Sequence, residues 1–350
     1  MKTWDAIVIG AGIIGLSLAI ELRKTGMTVL LVEKGEPGRE ASWAAGGMLA
    51  DCVIETPADL QPLATASARM YPEFVHELED ESNLKIDRRS EGTLLFLDSS
   101  RAPQQSHPLP APLDTLEPAL QTPAHAPLYL KERCVDPRHL TTAAIAAARH
   151  RGVDFSSGDQ VLAIEVGHGR ASGARTNKTQ FATAIVVNCA GAWAGQIGPY
   201  AFPTRPVKGQ MLCVAMPKKN FVRHVVRTPD VYLIPRSDGR LLIGATMEEA
   251  GFDKQTVPET LQKLRKAALD LVPKLADARI LEAWAGLRPG TPDKLPILGA
   301  TVTSGYYVAT GHFRDGILLA PFTARVMAQV ITGQRPEFDL RAFRAERLQN

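Results

Sequence analysis

The segment Asp5-Ala-Ile-Val-Ile-Gly10-Ala-Gly12-Ile-Ile-Gly15 is answered by the acidic Glu33, eighteen residues after its last glycine. No other spacing constrains the chain as tightly. Ala6 to Ile9 is a short apolar run suited to a buried parallel strand, and Ile13 to Lys24 carries apolar residues at a helical period with no proline. Strand, glycine turn and helix therefore follow in the order of a dinucleotide cradle. Gly10 permits the tight turn, Gly12 lets the backbone approach a pyrophosphate, and Gly15 lets helix and strand pack closely. The helix N-terminus faces the phosphates with free N–H groups and a positive dipole end. A second strand, Thr28 to Val32, brings Glu33 to where its carboxylate accepts hydrogen bonds from ribose hydroxyls. An acid there opposes a 2′-phosphate, which sets NADP aside and leaves NAD and FAD. An ordinary strand-turn-helix is the plain alternative.

The next segment helps to separate the two. Glu40-Ala-Ser42-Trp-Ala-Ala-Gly46-Gly47-Met48-Leu49 is rich in small residues and lacks the composition of a further helix and strand. Such a run suits an extended FAD, whose flavin half needs backbone close by. A flexible Gly/Ala loop has the same composition.

Chain length and charge bound the remaining classes. With 350 residues and 45% apolar content, the chain has the size and make-up of a two-domain globular enzyme. A formal charge of +3 without a Lys/Arg run gives no nucleic-acid footprint, and no apolar window is long enough to span a membrane. A strand beginning at residue 5 leaves no room for a signal peptide, so a cytoplasmic location is expected. Cys52, Cys134, Cys189 and Cys213 have no metal-site spacing and are expected to be reduced thiols.

Further along, a helix is expected over Leu140 to Arg151, then a hairpin-like stretch from Val153 through Val166. Thr183 to Ala190 is an apolar strand ending at Gly191. Tyr306 to Thr310 (strand), Gly311 to Asp315 (loop) and Gly316 to Ile331 (helix, closed by Gly333) repeat the first unit's design. Asp315 is placed as an N-cap, and the helix start points N–H donors at whatever occupies the site. Between Thr204 and Ala285, Met211 to Ala215, Val231 to Pro235 and Leu241 to Ala245 read as short strands, with Ser237-Asp238-Gly239 as a hairpin turn and Pro258 to Leu271 as a helix. The proline-rich stretch Asp98 to Pro127 is either a surface excursion or an active-site lid.

An arginine fork is the side chain that best holds a carboxylate in position and plane. Arg288, within Gly286-Leu-Arg-Pro289, is the candidate, a structural salt bridge being the alternative. Taken alone, Tyr232 is a strand tyrosine that could be core, and Met247 a methionine that could also be core.

These residues carry a resemblance. The N-terminal cradle, Ala45-Gly46-Gly47-Met48-Leu49, Pro206-Val-Lys208-Gly209-Gln210, Tyr232-Leu-Ile-Pro235-Arg236 with Gly244-Ala-Thr-Met247, Trp284-Ala-Gly-Leu-Arg288-Pro-Gly-Thr-Pro-Asp293 and Gly311-His-Phe-Arg314-Asp-Gly316-Ile-Leu resemble, in order, the glycine oxidase branch of the D-amino-acid oxidase family. The resemblance implies an α/β fold: a Rossmann-like FAD-binding domain (1–85, 135–203, 286–350) interleaved with an antiparallel-sheet substrate domain (86–134, 204–285). It implies noncovalent FAD and oxidative deamination of glycine or a small D- or N-methyl amino acid. Molecular oxygen would take the electrons and give hydrogen peroxide. Relatives that anchor flavin covalently use a cysteine in the C-terminal region, whereas the last one here is Cys213.

Residue by residue, Arg288, Tyr232 and Arg314 are implied at the substrate, with Met247 and Met48 as pocket walls. FAD contacts are implied for Gly10, Gly12, Ile13, Ile14 and Gly15, for Glu33 and Lys34, and for Ala41, Ser42, Gly46, Gly47 and Met48. Val161, Gly191, His312, Phe313, Arg314, Asp315, Gly316, Ile317 and Leu318 complete the set. His312 is read as a flavin contact, since direct hydride transfer needs no side-chain base. Glu40 and Trp43 depart from the pattern and are expected to alter the pocket mouth. Homo-oligomers and a role in thiazole synthesis for thiamine are further implications. The alternatives are a dehydrogenase passing electrons to a quinone or carrier, a non-catalytic flavin-binding protein, and an oxidase of a modified tRNA base, which the weak charge disfavours.

Overall fold

The computed structural model describes residues 3–51, 56–97, 107–121 and 127–348. A six-stranded sheet runs in the order Ile297–Ala300, Tyr306–Thr310, Val186–Asn188, Ala6–Ile9, Val29–Glu33, Asp154–Ser157. Its strands are parallel except for the hairpin of the first two. Alternate residues face opposite layers. Ala6, Val8, Val29, Leu31 and Val187 pack beneath the helices Ile13–Lys24, Gln61–Ser82, Pro137–His150 and Gly316–Ile331. Ile7, Ile9, Leu30, Val32 and Val186 pack on a small sheet of Val161–Gly167, Arg170–Thr176 and Gln180–Ala182. Coverage on both faces explains why these strands are apolar throughout rather than alternating.

A seven-stranded sheet forms the second layer, in the order Ile280–Gly290, Arg205–Ala215, Arg240–Gly244, Tyr232–Pro235, Val225–Arg227, Thr93–Leu95, Leu128–Leu130. All pairs but Val225–Arg227 with Thr93–Leu95 are antiparallel. Leu212, Val214, Leu233, Leu241 and Ile243 point to one side, under the helix Pro258–Leu271. Met211, Cys213, Ile234, Leu242 and Trp284 point to the other, towards the first sheet. Ile280–Gly290 carries the chain from the second layer back to the first.

Several expected elements change on folding. The hairpin of 153–166 does not form: Asp154–Ser157 pairs in parallel with Val29–Glu33, and Val161–Gly167 pairs with Arg170–Thr176. Gly158, at φ +63°, turns the chain between them. The helix expected from Leu140 begins at Pro137, because the Asp136 carboxylate accepts from the Arg138 and His139 amides and proline fits the first turn. The segment of small residues contains one helical turn, Ala41–Ala44, and the two-residue strand Met48–Leu49. Asp315 is the N-cap residue of Gly316–Ile331 as expected, its carbonyl accepting from the Leu319 amide at 2.8 Å, although its side chain makes no bond to the helix amides. Residues 107–121 of the proline-rich stretch pack against the helix-covered face of the seven-stranded sheet. Glu117 is pinned there, accepting from the Arg223 amide at 2.8 Å and facing His224 Nδ1 at 2.7 Å. Residues 98–106 and 122–126 of that stretch, and Cys52, lie outside the described residues.

Candidate active site

The carboxyl ends of four parallel strands open into a cavity of about 740 Å³, where Gly10, Glu33, Gly191 and Gly311 meet. This is where ligands sit on open α/β sheets. The cradle is built as its spacing requires. Gly10 adopts φ +98°, a region that favours glycine, and a Cβ on Gly15 would collide with the Gly10 carbonyl. Gly15 therefore serves strand–helix packing and does not line the cavity. Glu33, 7% exposed, accepts from the Ala11 amide at 2.8 Å and the Gly35 amide at 2.9 Å, so its carboxylate braces the loop. Ser42 Oγ accepts from the Ile13 amide at 2.9 Å, tying the segment of small residues to the helix start. Lys34 places its ammonium 3.0 Å from the Trp193 ring centroid. Burial lowers its pKa, against the opposing pull of Glu40 and Glu33.

The cavity continues onto the open face of the seven-stranded sheet. Arg288 lies over Gly209 on the neighbouring strand and donates from Nη1 to the Thr246 carbonyl at 3.1 Å. Tyr232 is two strands further on, with its hydroxyl 3.7 Å from Met211 Sδ. Burial raises the Tyr232 pKa, and the Arg288, Arg314 and Arg227 guanidiniums pull it back. Met247 is 58% exposed while lining the cavity, which excludes a core role. Met48 lines it too.

Of the sequence-derived contacts, Gly12, Ile13, Ile14, Ala41, Ser42, Gly46, Gly47, Val161 and Gly191 reach the cavity, as do His312, Phe313, Arg314, Asp315, Gly316 and Ile317. Leu318 does not. One residue further round the helix, it is turned into the core at 1% exposure, with its carbonyl taken by Ser67. Phe313 holds a left-handed φ of +48°, and its amide bonds to the Pro289 carbonyl, locking this loop to the strand that carries Arg288. His312 is buried, 3.3 Å from Thr323 Oγ1, and burial pushes its pKa down to about 3. Trp43 is not at the mouth. It packs edge-on against Trp284 at 5.9 Å and beneath the Arg138 guanidinium at 3.6 Å, while Glu40 does line the cavity and pairs with Lys254 at 3.1 Å.

Sequence reasoning missed Trp193 and Arg236. The second is 1% exposed, and its Nη2 donates to the Gly46 carbonyl at 2.7 Å, fixing the glycine pair from behind. Its signal was phase, since positions 232, 234 and 236 share a strand face.

Residues 5–330 match the family described as FAD dependent oxidoreductase, DAO. The chain belongs to this family. The cradle at Gly10 and Gly12, the Glu33 acid and the length of the cavity fit FAD, the family's cofactor. Glycine oxidase from Pseudomonas aeruginosa is 34% identical to this DAO-family chain, over 95% of it and 96% of the relative. The bifunctional protein ThiO/ThiG of Trichormus variabilis is 33% identical over 99% of the chain, which spans 55% of that longer protein. The crystal structure of glycine oxidase from Geobacillus kaustophilus superposes with a TM-score of 0.92 at 29% identity, covering 99% of both chains. No helix among the described residues is long and apolar enough to cross a membrane.

Proposed function

We propose that the protein oxidises glycine and other small D- or N-methyl amino acids to the 2-oxo acid and ammonia or amine, passing the electrons to oxygen to give hydrogen peroxide. The placement of Arg288 and Tyr232 in the same cavity as the nucleotide cradle carries this reading. Bound FAD would supply the two-electron acceptor for the hydride leaving Cα. The chain's part is to aim that bond. Arg288 presents a planar fork to the carboxylate, with one N–H already anchored on Thr246, so the head is oriented before substrate arrives. The raised pKa keeps the Tyr232 hydroxyl protonated as a donor to the same carboxylate. His312, held neutral by burial, is a poor base, in keeping with a reaction that needs none. Met247 and Met48 limit the room beyond Cα. Cys134 and Cys213 are buried with thiol pKa values pushed up to about 11, and Cys189 is pushed up too, which favours noncovalent FAD.

The similarity to ThiO/ThiG supports a place beside thiazole synthesis for thiamine, and a homo-oligomer in the cytoplasm remains the expected form. The deciding test is the visible spectrum of the purified protein under anaerobic glycine, then air. Bleaching of a flavin band, followed by recovery with peroxide, is the expected result. A yellow protein that no amino acid bleaches would overturn the reading, and bleaching without recovery would replace oxygen by a quinone or carrier.

A further inference from the structure

An irregularity in the seven-stranded sheet supplies the acceptor that holds Arg288. Arg205–Ala215 and Arg240–Gly244 pair in register as far as Met211 opposite Gly244. Pairing resumes at Lys208 opposite Glu248, whose backbones exchange two bonds of 2.9 Å. Between these pairs Ala245, Thr246 and Met247 stand against only Gly209 and Gln210, so one residue is extra and the ladder bulges. Two residues along from a doubly bonded pair, a regular antiparallel ladder forms the next one, here Gln210 with Thr246. Half of that pair is present, the Thr246 amide reaching the Gln210 carbonyl at 3.4 Å. The other half is replaced. The Gln210 amide donates to Thr246 Oγ1 at 2.9 Å, and the Thr246 carbonyl, released from the ladder, accepts from Arg288 Nη1 at 3.1 Å.

The hydroxyl is fixed in this role. It donates its own proton to Glu248, and Gln210 Nε2 donates to both oxygens of that carboxylate, at 2.9 and 3.1 Å. Gln210 is fully buried, and its Oε1 accepts from the Val257 amide at 2.6 Å. Neighbouring strand residues face opposite ways, so Gly209 leaves room for the Arg288 head on one face while the Gln210 side chain secures the bulged segment on the other.

We propose that Thr246 is a positioning residue for the substrate: its hydroxyl stands in for its carbonyl in the ladder, which leaves the carbonyl to hold the Arg288 fork. Glu248 and Gln210 keep the hydroxyl in place. The same bulge carries Met247 to the cavity, so one short segment sets both the anchor and a pocket wall.

This role rests on Arg288 as the carboxylate anchor of the proposed oxidase, and the test has one arm for each. Thr246→Val keeps the shape and removes the hydroxyl, whereas Thr246→Ser keeps the hydroxyl. In crystals of the FAD-loaded Thr246→Val protein, the carbonyl of residue 246 is expected on the Gln210 amide and the Arg288 head away from it. An unmoved head would overturn the proposal whatever substrate the protein takes. In steady state, Thr246→Val should raise KM for glycine on the order of tenfold. With a contact made equally before and at the transition state, kcat should stay within about twofold. Thr246→Ser should keep wild-type values. In an Arg288→Ala background, Thr246→Val should cost nothing further in kcat/KM, because it acts only through that side chain. An equal loss in both backgrounds, or a Thr246→Ser protein as impaired as Thr246→Val, would make the role purely structural and overturn the proposal. Should Thr246→Val fail to fold, Glu248→Gln takes its place. Two amide groups then face each other and KM should rise, and adding Gln210→Glu, which exchanges carboxylate and amide, should bring it back. No recovery in the exchanged protein would count equally against the proposal. Failure of glycine to bleach the wild-type flavin would sink the amino-acid reading alone, with the crystal structures still deciding the role of Thr246.

Discussion

Replacing Gly209 by alanine tests the substrate anchor without touching it. Gly209 sits in the extended strand Arg205–Ala215 with no left-handed φ, so the backbone accepts alanine. Its absent side chain leaves the space in which the Arg288 head lies. A Cβ there would stand 2.5 Å from Nη2 and 2.6 Å from Cζ, with Nη1 also in contact. Ordinary contact distances between such atoms are about 3.5 Å or more, so the head must retreat by roughly 1 Å. It can do so because it is the end of a long side chain, and folding is therefore expected to be nearly unaffected. Catalysis is not so tolerant, since a misplacement of about 1 Å in a positioning group costs on the order of 10²-fold. That loss corresponds to about 2.7 kcal/mol of transition-state stabilisation. The assay is kcat/KM for glycine on protein whose FAD content and melting temperature are measured alongside. Wild-type kcat/KM would refute the placement of Arg288 as carboxylate anchor. Joint loss of FAD, stability and activity would refute the claim that Gly209 serves the anchor and not the sheet.

Four further outcomes are expected. Arg288→Ala should raise KM for glycine by about 10² to 10³-fold with FAD retained, because a buried charge-assisted fork contributes roughly 2 to 5 kcal/mol; steady-state kinetics and the flavin spectrum check it. Glu33→Ala should weaken FAD binding by at least about tenfold, about 1.4 kcal/mol, by unbracing the Ala11 and Gly35 amides, as read by titration of the apoprotein. Asp136→Ala should lower the denaturation midpoint through a loss of about 3 to 5 kcal/mol, since it removes a helix cap and strips the fully buried Arg236 of its counter-charge at 3.6 Å. His312 has a folded pKa of about 3, below its unfolded value, so its contribution to stability is complete above about pH 6.5 and is lost as pH falls towards 3. Unfolding free energies at pH 7 and pH 5 should therefore differ more in the wild type than in His312→Gln, by up to about 1.4 kcal/mol per pH unit.

The elements legible in the sequence are those whose causes are local. Ala6–Ile9, Ile13–Lys24, Pro258–Leu271, Tyr306–Thr310 and Gly316–Ile331 fall where periodicity and glycine punctuation put them. The hairpin of 153–166 failed because alternation identifies a strand but not its partner. Asp154–Ser157 finds its partner in Val29–Glu33, more than a hundred residues earlier. Within the site, Arg288 and Tyr232 were legible as residue types in a recognisable frame. Leu318 was misplaced by a single position, since a helix turns about 100° per residue and Ile317 already faces the cavity. Trp193 stood near a flagged glycine, yet its partner Lys34 comes from another strand end.

The nucleotide cradle was determined by the sequence itself, because a tight turn, a close backbone approach and a helix start are properties of consecutive residues. The substrate end was decided only by tertiary structure. Arg227, Tyr232, Gly209 and Arg288 lie on four different strands, and they converge because antiparallel pairing with a side-chain period of two puts them on one face. Their neighbours are supplied by pairing between segments far apart in the chain.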